Sequence, residues 1–412
     1  MSSRRDFLTL LGLGAGASTL SLWPSLSSAA TGGDTRLLVV MLRGGLDGLH
    51  AVPPYGDPGY AALRGPLALS PAGPTSDDAA ALKLDANFAL HPALGFLARL
   101  YAQGYCLPIV AAAPPYWGRS HFEAQDCVEN GTDTPNGAET GWLNRAAGAL
   151  HQHGMSVTSV TPLIMRGTSK IDSWTPPLPM RVNPILLQRL EGLYAEDPRM
   201  AMAFADAVAQ QHADASIDQQ MKAGMRPVGP KAVEERFAVM MRAAGSFMAR
   251  PGGPRLCFVE DYGWDTHANQ APILARKLAE LDQAVQAFHD ASAPVWRRTA
   301  AVVVTEFGRT ARINGTNGTD HGTGGAMFLF GGAVNGGRVG GDWPGMRPSQ
   351  LYENRDIHAT TDQRRVFKAL LGAHIGLPDA VLSTSVFPNS AGLEPLGGLV
   401  GSPAVRSVGS RV

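Results

Sequence analysis

Four short, almost wholly apolar runs constrain this chain more than any other feature: residues 37–42, 105–113, 256–259 and 300–304. Runs of this length, rich in valine, leucine and isoleucine and followed by glycine or charged residues, read as strands buried on both faces. That is the pattern of a parallel sheet covered by helices. A fifth run, within residues 154–166, is β-rich through Met155, Val157, Thr158 and Val160. Between the runs the period changes. A helix is expected from His91 to about Gln103, stopped by Gly104. Another is expected from about Pro272 to His289, with Leu274, Leu278, Leu281, Val285 and Phe288 on one face, and a last one over 363–375, capped by Thr361-Asp362. Strand, helix and strand in alternation predict an α/β fold, a mostly parallel central sheet flanked by helices. From about 183 to 250 the texture turns to Ala, Met, Gln and Glu, which predicts a helical insertion with helices near 184–195, 197–213 and 230–248.

The N-terminus sets the compartment. Arg4-Arg5 precede an uncharged, glycine-containing run from Leu8 to Trp23, and Ser28-Ala29-Ala30 supply small residues suited to cleavage. This predicts a twin-arginine signal over 1–30 and a single domain over 31–412, periplasmic or secreted, with the export machinery as a partner. The run is too short for a comfortable membrane span. With 35 basic and 35 acidic residues, the chain has no electrostatic case for nucleic acid or an anionic membrane. Its three cysteines, Cys106, Cys127 and Cys257, are scattered and form no metal-binding or disulfide framework.

The chemically loaded residues recur after the expected strands: Asp47, Ser120 with His121, Asp265 with His267, Glu306 with Arg309, and Asp320 with His321. In an open parallel sheet such loops meet at one edge. Oxygen and nitrogen donors gathered there suit one or two divalent ions, zinc, manganese or similar. Asp265 and His267 sit two residues apart, so an extended segment points both the same way. Ser120 has two readings. It is a nucleophile at a helix N-terminus, or a simple cap with Glu123 in a capping box, His121 then being the ligand. Arg309 and Arg119 have the chemistry to hold a phosphate or sulfate by paired hydrogen bonds.

The segments 43–49, 119–126, 264–267, 305–310 and 319–322 resemble the motifs of an exported family, domain of unknown function 1501. That family is grouped with the sulfatase-like, alkaline-phosphatase-like proteins. The resemblance implies an alkaline-phosphatase-like fold with Asp47, Asp320 and His321 as metal ligands, Ser120 as nucleophile, and His358 as counterpart of a final histidine ligand. A formylglycine sulfatase is disfavoured, since Cys106-Leu107-Pro108-Ile109-Val110 lacks the arginine such enzymes place at the fifth position.

Two functions follow. The first is an exported metal-dependent hydrolase of phosphate or sulfate esters, small-molecule or polymer, with Ser120, Arg309 and Glu306 catalytic. Its metal shell is Asp47, His121, Asp265, His267, Asp320 and His321. The second is a non-catalytic metal-binding or assembly protein on the same fold, working with a co-exported partner.

Overall fold

A computed structural model describes residues 34–71, 80–176 and 236–401. The expected signal 1–30 and most of the expected insertion 183–250 lie outside the described residues. The insertion's last expected helix is described, as Arg236–Ala249.

The apolar runs form the sheet. Its strands are β1 (Arg36–Arg43), β2 (Cys106–Ala113), β3 (Gly154–Val157), β4 (Ile171–Trp174), β5 (Leu256–Tyr262), β6 (Thr299–Val304), β7 (Gly325–Phe330) and β8 (Thr361–Asp362). They lie in the order β8-β2-β7-β6-β1-β5-β3-β4. Every pairing is parallel except the two made by β7, which runs against β2 and β6. The expected mostly parallel sheet is therefore present, with one reversed strand inside it.

β1 sits between β5 and β6 and is buried along almost its whole length. Its side chains alternate between two cores, as the pleat requires. Leu38, Val40 and Leu42 pack with Leu97, Met241, Leu278, Leu281 and Phe288 beneath the helices Gly95–Ala102, Arg236–Ala249 and Gln270–Ala291. Leu37, Val39 and Met41 pack on the other face with Trp142, Val302, Phe367 and Phe387. Among the described residues no helix is long and apolar enough to cross a membrane. All three cysteines are free and buried.

Local expectations shift in instructive ways. The helix expected from His91 begins at Gly95, because Asp282 of the long helix accepts from the N–H groups of Phe96 and Leu97 at 2.8 and 2.9 Å and caps it from outside. Asp362 caps Gln363–Ala369 as expected, and the following turn widens into a π-helix over Leu370–Ile375. Near the end of β2, Ala111 has φ 52 and the register with β7 slips by one residue, a bulge that re-aims the chain leaving the strand.

Candidate metal centre

The reversed strand decides where the site forms. The carboxyl ends of β1, β2, β5 and β6 share one edge of the sheet, and β7 runs the other way, so its amino end meets them there. Asp320 and His321 lie in the loop that follows β6, as expected, and lead directly into β7. They reach the same edge because that strand is antiparallel.

Glycine lets the loops close. Gly44 has φ +126 and its Cα faces the Trp264–Asp265 backbone, where a Cβ would lie 2.5 Å from the Asp265 nitrogen. Gly45, at φ +73, lies against the Phe307 ring, 2.6 Å from where its Cβ would stand. Arg309, buried just after β6, ties these loops together. Its Nε donates to the Gly45 carbonyl at 2.7 Å, its Nη2 to that of Gly44 at 2.6 Å, and its Nη1 to that of Thr319 at 3.2 Å. The same guanidinium is paired with Asp265.

Around Asp265 stand three imidazoles, each held through Nδ1. His121 Nδ1 donates to Glu306 Oε1 at 2.7 Å. His321 Nδ1 donates to the Arg119 carbonyl at 3.0 Å, and His267 Nδ1 to Asp320 Oδ1 at 3.2 Å. In the neutral ring with its proton on Nδ1, each Nε2 keeps its lone pair. All three Nε2 atoms converge on the Asp265 carboxylate, at 3.4, 3.4 and 3.0 Å for His121, His321 and His267. His267 Nε2 and His321 Nε2 lie 3.0 Å apart. His121 Nε2 is buried and has no hydrogen-bond partner. Donor atoms of His121, Asp265 and His321 fall within 4.8 Å of one another, a group able to hold a metal ion.

The charges are tuned by these neighbours. The Glu306 bond, then its charge and that of Asp265, outweigh burial and raise the His121 pKa. Burial, His121 and Arg309 lower that of His321. Burial alone would raise the Asp265 carboxyl, but Arg309, with help from His267 and His121, holds it below the ordinary range. Glu306 is fully buried, yet its bonds from His121, Gln125 and Gly44 keep it ionised.

A model of the family "Protein of unknown function (DUF1501)" matches residues 119–386, more than half the chain and every residue of the cluster. The chain belongs to the DUF1501 family. The segment 43–49 lies outside the matched residues. A search of curated proteins finds no match. Solved structures similar to this DUF1501 chain include a zinc complex of the C-terminal periplasmic domain of EcEptC from Escherichia coli, at 10% identity and TM-score 0.35, covering 73% of this chain and 74% of that one. Another is lipoteichoic acid synthase LtaP from Listeria monocytogenes, at 10% identity and TM-score 0.35, covering 86% and 75%. A third is a protein in the alkaline phosphatase superfamily from Vibrio parahaemolyticus, at 13% identity and TM-score 0.34, covering 80% and 70%.

Several expected members of the site stand elsewhere. Asp47 is not in the cluster: its carboxylate is fully buried, paired with Arg64, bonded by Gln270 Nε2 at 2.6 Å, and accepts from the N–H groups of Leu49 and His50. It has no lone pair left for an ion at the sheet edge. Arg309 and Arg119 are not free for an anion. The first is spent on loop carbonyls and Asp265, the second on Asp356 at 2.8 Å and on Glu353. His358 meets Trp117 edge-on and lies at a tilt to Tyr352, and it is not part of the cluster. The Ser120–Glu123 capping box does not form. Ser120 occupies the N-cap of His121–Asn130 without a side-chain cap bond, and Glu123 instead accepts from the Tyr116 hydroxyl.

Gln125 was missed as a site residue although it lies in the 119–126 motif. Its amide donates to Glu306 at 2.8 Å and accepts from Arg43 at 2.8 Å, so it fixes the carboxylate that fixes His121. Its signal was its place one turn after His121, on the same helix face.

Proposed function

We propose that this chain is an exported, metal-dependent hydrolase of phosphate or sulfate esters. The observation that carries the reading is the convergence of three Nδ1-anchored imidazoles on Asp265. With both rings protonated at Nδ1, the Nε2 lone pairs of His267 and His321 face each other at 3.0 Å and repel, and the buried His121 Nε2 has no hydrogen-bond partner, which is costly. A divalent cation relieves both. The donor set, imidazole with one carboxylate, suits zinc or manganese. His121, His321 and Asp265 would hold the ion with His267 beside them. Glu306, Asp320 and the Arg119 carbonyl would orient the rings from behind, as partners of ligating histidines commonly do. When bound, the ion supplies positive charge against the ester's anionic oxygens.

Ser120 is the proposed nucleophile. It directly precedes His121 at the start of a ten-residue helix, where free N–H groups and the helix dipole favour an anion. Its hydroxyl caps nothing and bonds instead to the Tyr116 hydroxyl, which donates to Glu123. Gly118 permits this, since a side chain there would collide with the tyrosine oxygen. Arg119 just before it has φ 61, a left-handed conformation rare outside glycine, held by its two ion pairs and by His321 on its carbonyl. Ser120 Oγ would bond to phosphorus or sulfur as the bond to the ester oxygen breaks, the serine proton passing by Tyr116 to Glu123 and the departing alkoxide taking a proton from water. Water would then release inorganic phosphate or sulfate and restore the hydroxyl.

Metal content of the purified protein and turnover of an ester panel test this reading. Zinc or manganese should bind with about one ion per chain and be lost in His121→Ala and His321→Ala. Ser120→Ala should keep the metal and lose turnover. Metal-free wild type, or full turnover by Ser120→Ala, defeats the mechanism. One observation favours a second reading, metal binding without turnover alongside a partner protein: both arginines near the cluster are already spent. Bound metal with no turnover on any ester would select it.

A further inference from the structure

Among the described residues the exposed large hydrophobic side chains are Phe122, Val160 and Tyr262, at 88%, 71% and 62% exposure. They come from three separate segments, the start of the helix His121–Asn130, the loop after β3 and the end of β5. Single exposed apolar residues are ordinary. Here all three line one open cleft of about 370 Å³. That volume falls within the range of small-molecule sites, about 300–1,000 Å³.

The floor of the cleft is charged but internally matched. Arg43 donates to Glu129 at 2.8 Å and to Glu260 at 2.7 Å, and the second Glu129 oxygen accepts from the Ile164 N–H at 3.0 Å. Arg166 and Asp126 also line the cleft, bonded to the Thr161 carbonyl and to Asn130 and Asn136 but, among the described residues, to no opposite charge, so the exposed apolar side chains share the lining with polar groups. The cleft is linked to the candidate metal centre through two of its lining residues. Phe122 follows His121, and Gln125 bonds both Arg43 in the floor and Glu306 behind His121.

We propose that this cleft binds the non-reacting part of the substrate, an aromatic ring on the alcohol side of the ester, seated between Phe122 and Tyr262. The assignment rests on the cluster being an ester-cleaving site. It predicts that aryl esters are preferred over small alkyl esters, because the ring's binding energy is available only when a ring is present.

Two measurements on the metal-loaded protein separate the two ideas. Equilibrium dialysis of 2-naphthol reads the cleft alone, and kcat/KM for 2-naphthyl phosphate against methyl phosphate reads the coupling. Phe122→Ser should weaken 2-naphthol binding about tenfold, the scale of one lost aromatic contact. It should lower kcat/KM for the naphthyl ester by a similar factor and leave the methyl ester unchanged. Tyr262→Ser serves as a second variant from another segment. Binding of 2-naphthol that is lost in both variants, with no turnover of either ester, keeps the cleft and removes the hydrolase. No binding by the wild type, binding unchanged in both variants, or equal losses on both esters overturns the cleft.

Discussion

Glu306→Gln isolates what the buried carboxylate does for the metal centre. Glu306 is fully buried, and its Oε1 alone accepts from His121, Gln125 and Gly44 at 2.7, 2.8 and 2.8 Å. Gln has the same shape and keeps an oxygen for those three donors, so the loops retain their anchor. What is lost is the charge, which raises the basicity of His121. A less basic imidazole is a poorer ligand. Removing such a partner commonly costs about 10–100-fold in metal affinity, or about 1.4–2.7 kcal/mol. The stability cost should be smaller, since the substitution also removes a buried charge. Glu306→Ala differs, because it strands three buried donors at about 1–3 kcal/mol each. Chelator competition for zinc, with urea unfolding of the metal-free proteins, reads the two effects apart. Affinity should fall in both variants and stability markedly in the alanine variant alone. Wild-type zinc affinity in Glu306→Gln would show that the carboxylate holds the loops and has no part in metal binding.

Further outcomes follow from the same contacts. Asp47→Ala should lose about 3–5 kcal/mol of stability by stranding the buried Arg64. Any protein that still folds should keep its metal, bound more weakly as Gln270 and the loops it joins lose their anchor, and a complete loss of metal from a folded variant would return Asp47 to the ligand set. Burial, reinforced in His91 by neighbouring His50, lowers the pKa of His91 to about 3 and that of His374 to about 4. The unfolded chain takes up those protons below about pH 6.5 and the folded chain does not. Stability therefore falls as pH drops, by about 1.4 kcal/mol per unit for each histidine, or about 4 kcal/mol for the pair at pH 5. Denaturant unfolding at pH 7.5 and pH 5 should show this loss, and His374→Gln should remove about half of it; an unchanged slope in that variant defeats the assignment. Gly45→Ala, strained at φ +73 and driven into the Phe307 ring, should cost about 2 kcal/mol or more. Because Phe307 lies 4.8 Å from the His121 ring and 4.9 Å from that of His321, metal affinity should fall with it, as zinc competition would report.

The sheet was legible because its strands are buried on both faces and so are almost purely apolar, from Leu37 to Leu42 and from Ala300 to Val304. Strand direction was not. Met327–Phe330 is as apolar as its neighbours, and an antiparallel strand inside a buried sheet carries the same composition as a parallel one. The helix at Gly95 shows a related blindness. Its cap, Asp282, comes from a helix nearly two hundred residues away, and no local pattern reveals a cap supplied through space.

At the candidate metal centre, sequence separated residue types from one another but not their roles. Asp47 and Asp265 both follow a strand and a glycine, and nothing local distinguishes them. The difference is made by Arg64 and Gln270, which reach Asp47 from elsewhere in the chain and exhaust its oxygens, whereas Asp265 stays 42% exposed with imidazole nitrogens in front of it. Gln270 carries the consequence further. Its amide oxygen accepts from Thr266 at 3.0 Å and Thr319 at 2.6 Å, the neighbours of Asp265, His267 and Asp320 in the two loops of the candidate site. Asp47 thus bears on the candidate metal centre through Gln270, as a buried anchor for the loops that carry Asp265, His267, Asp320 and His321. An aspartate that ligates and one that braces the ligating loops present the same sequence, and they separate only once the partners of each oxygen are known.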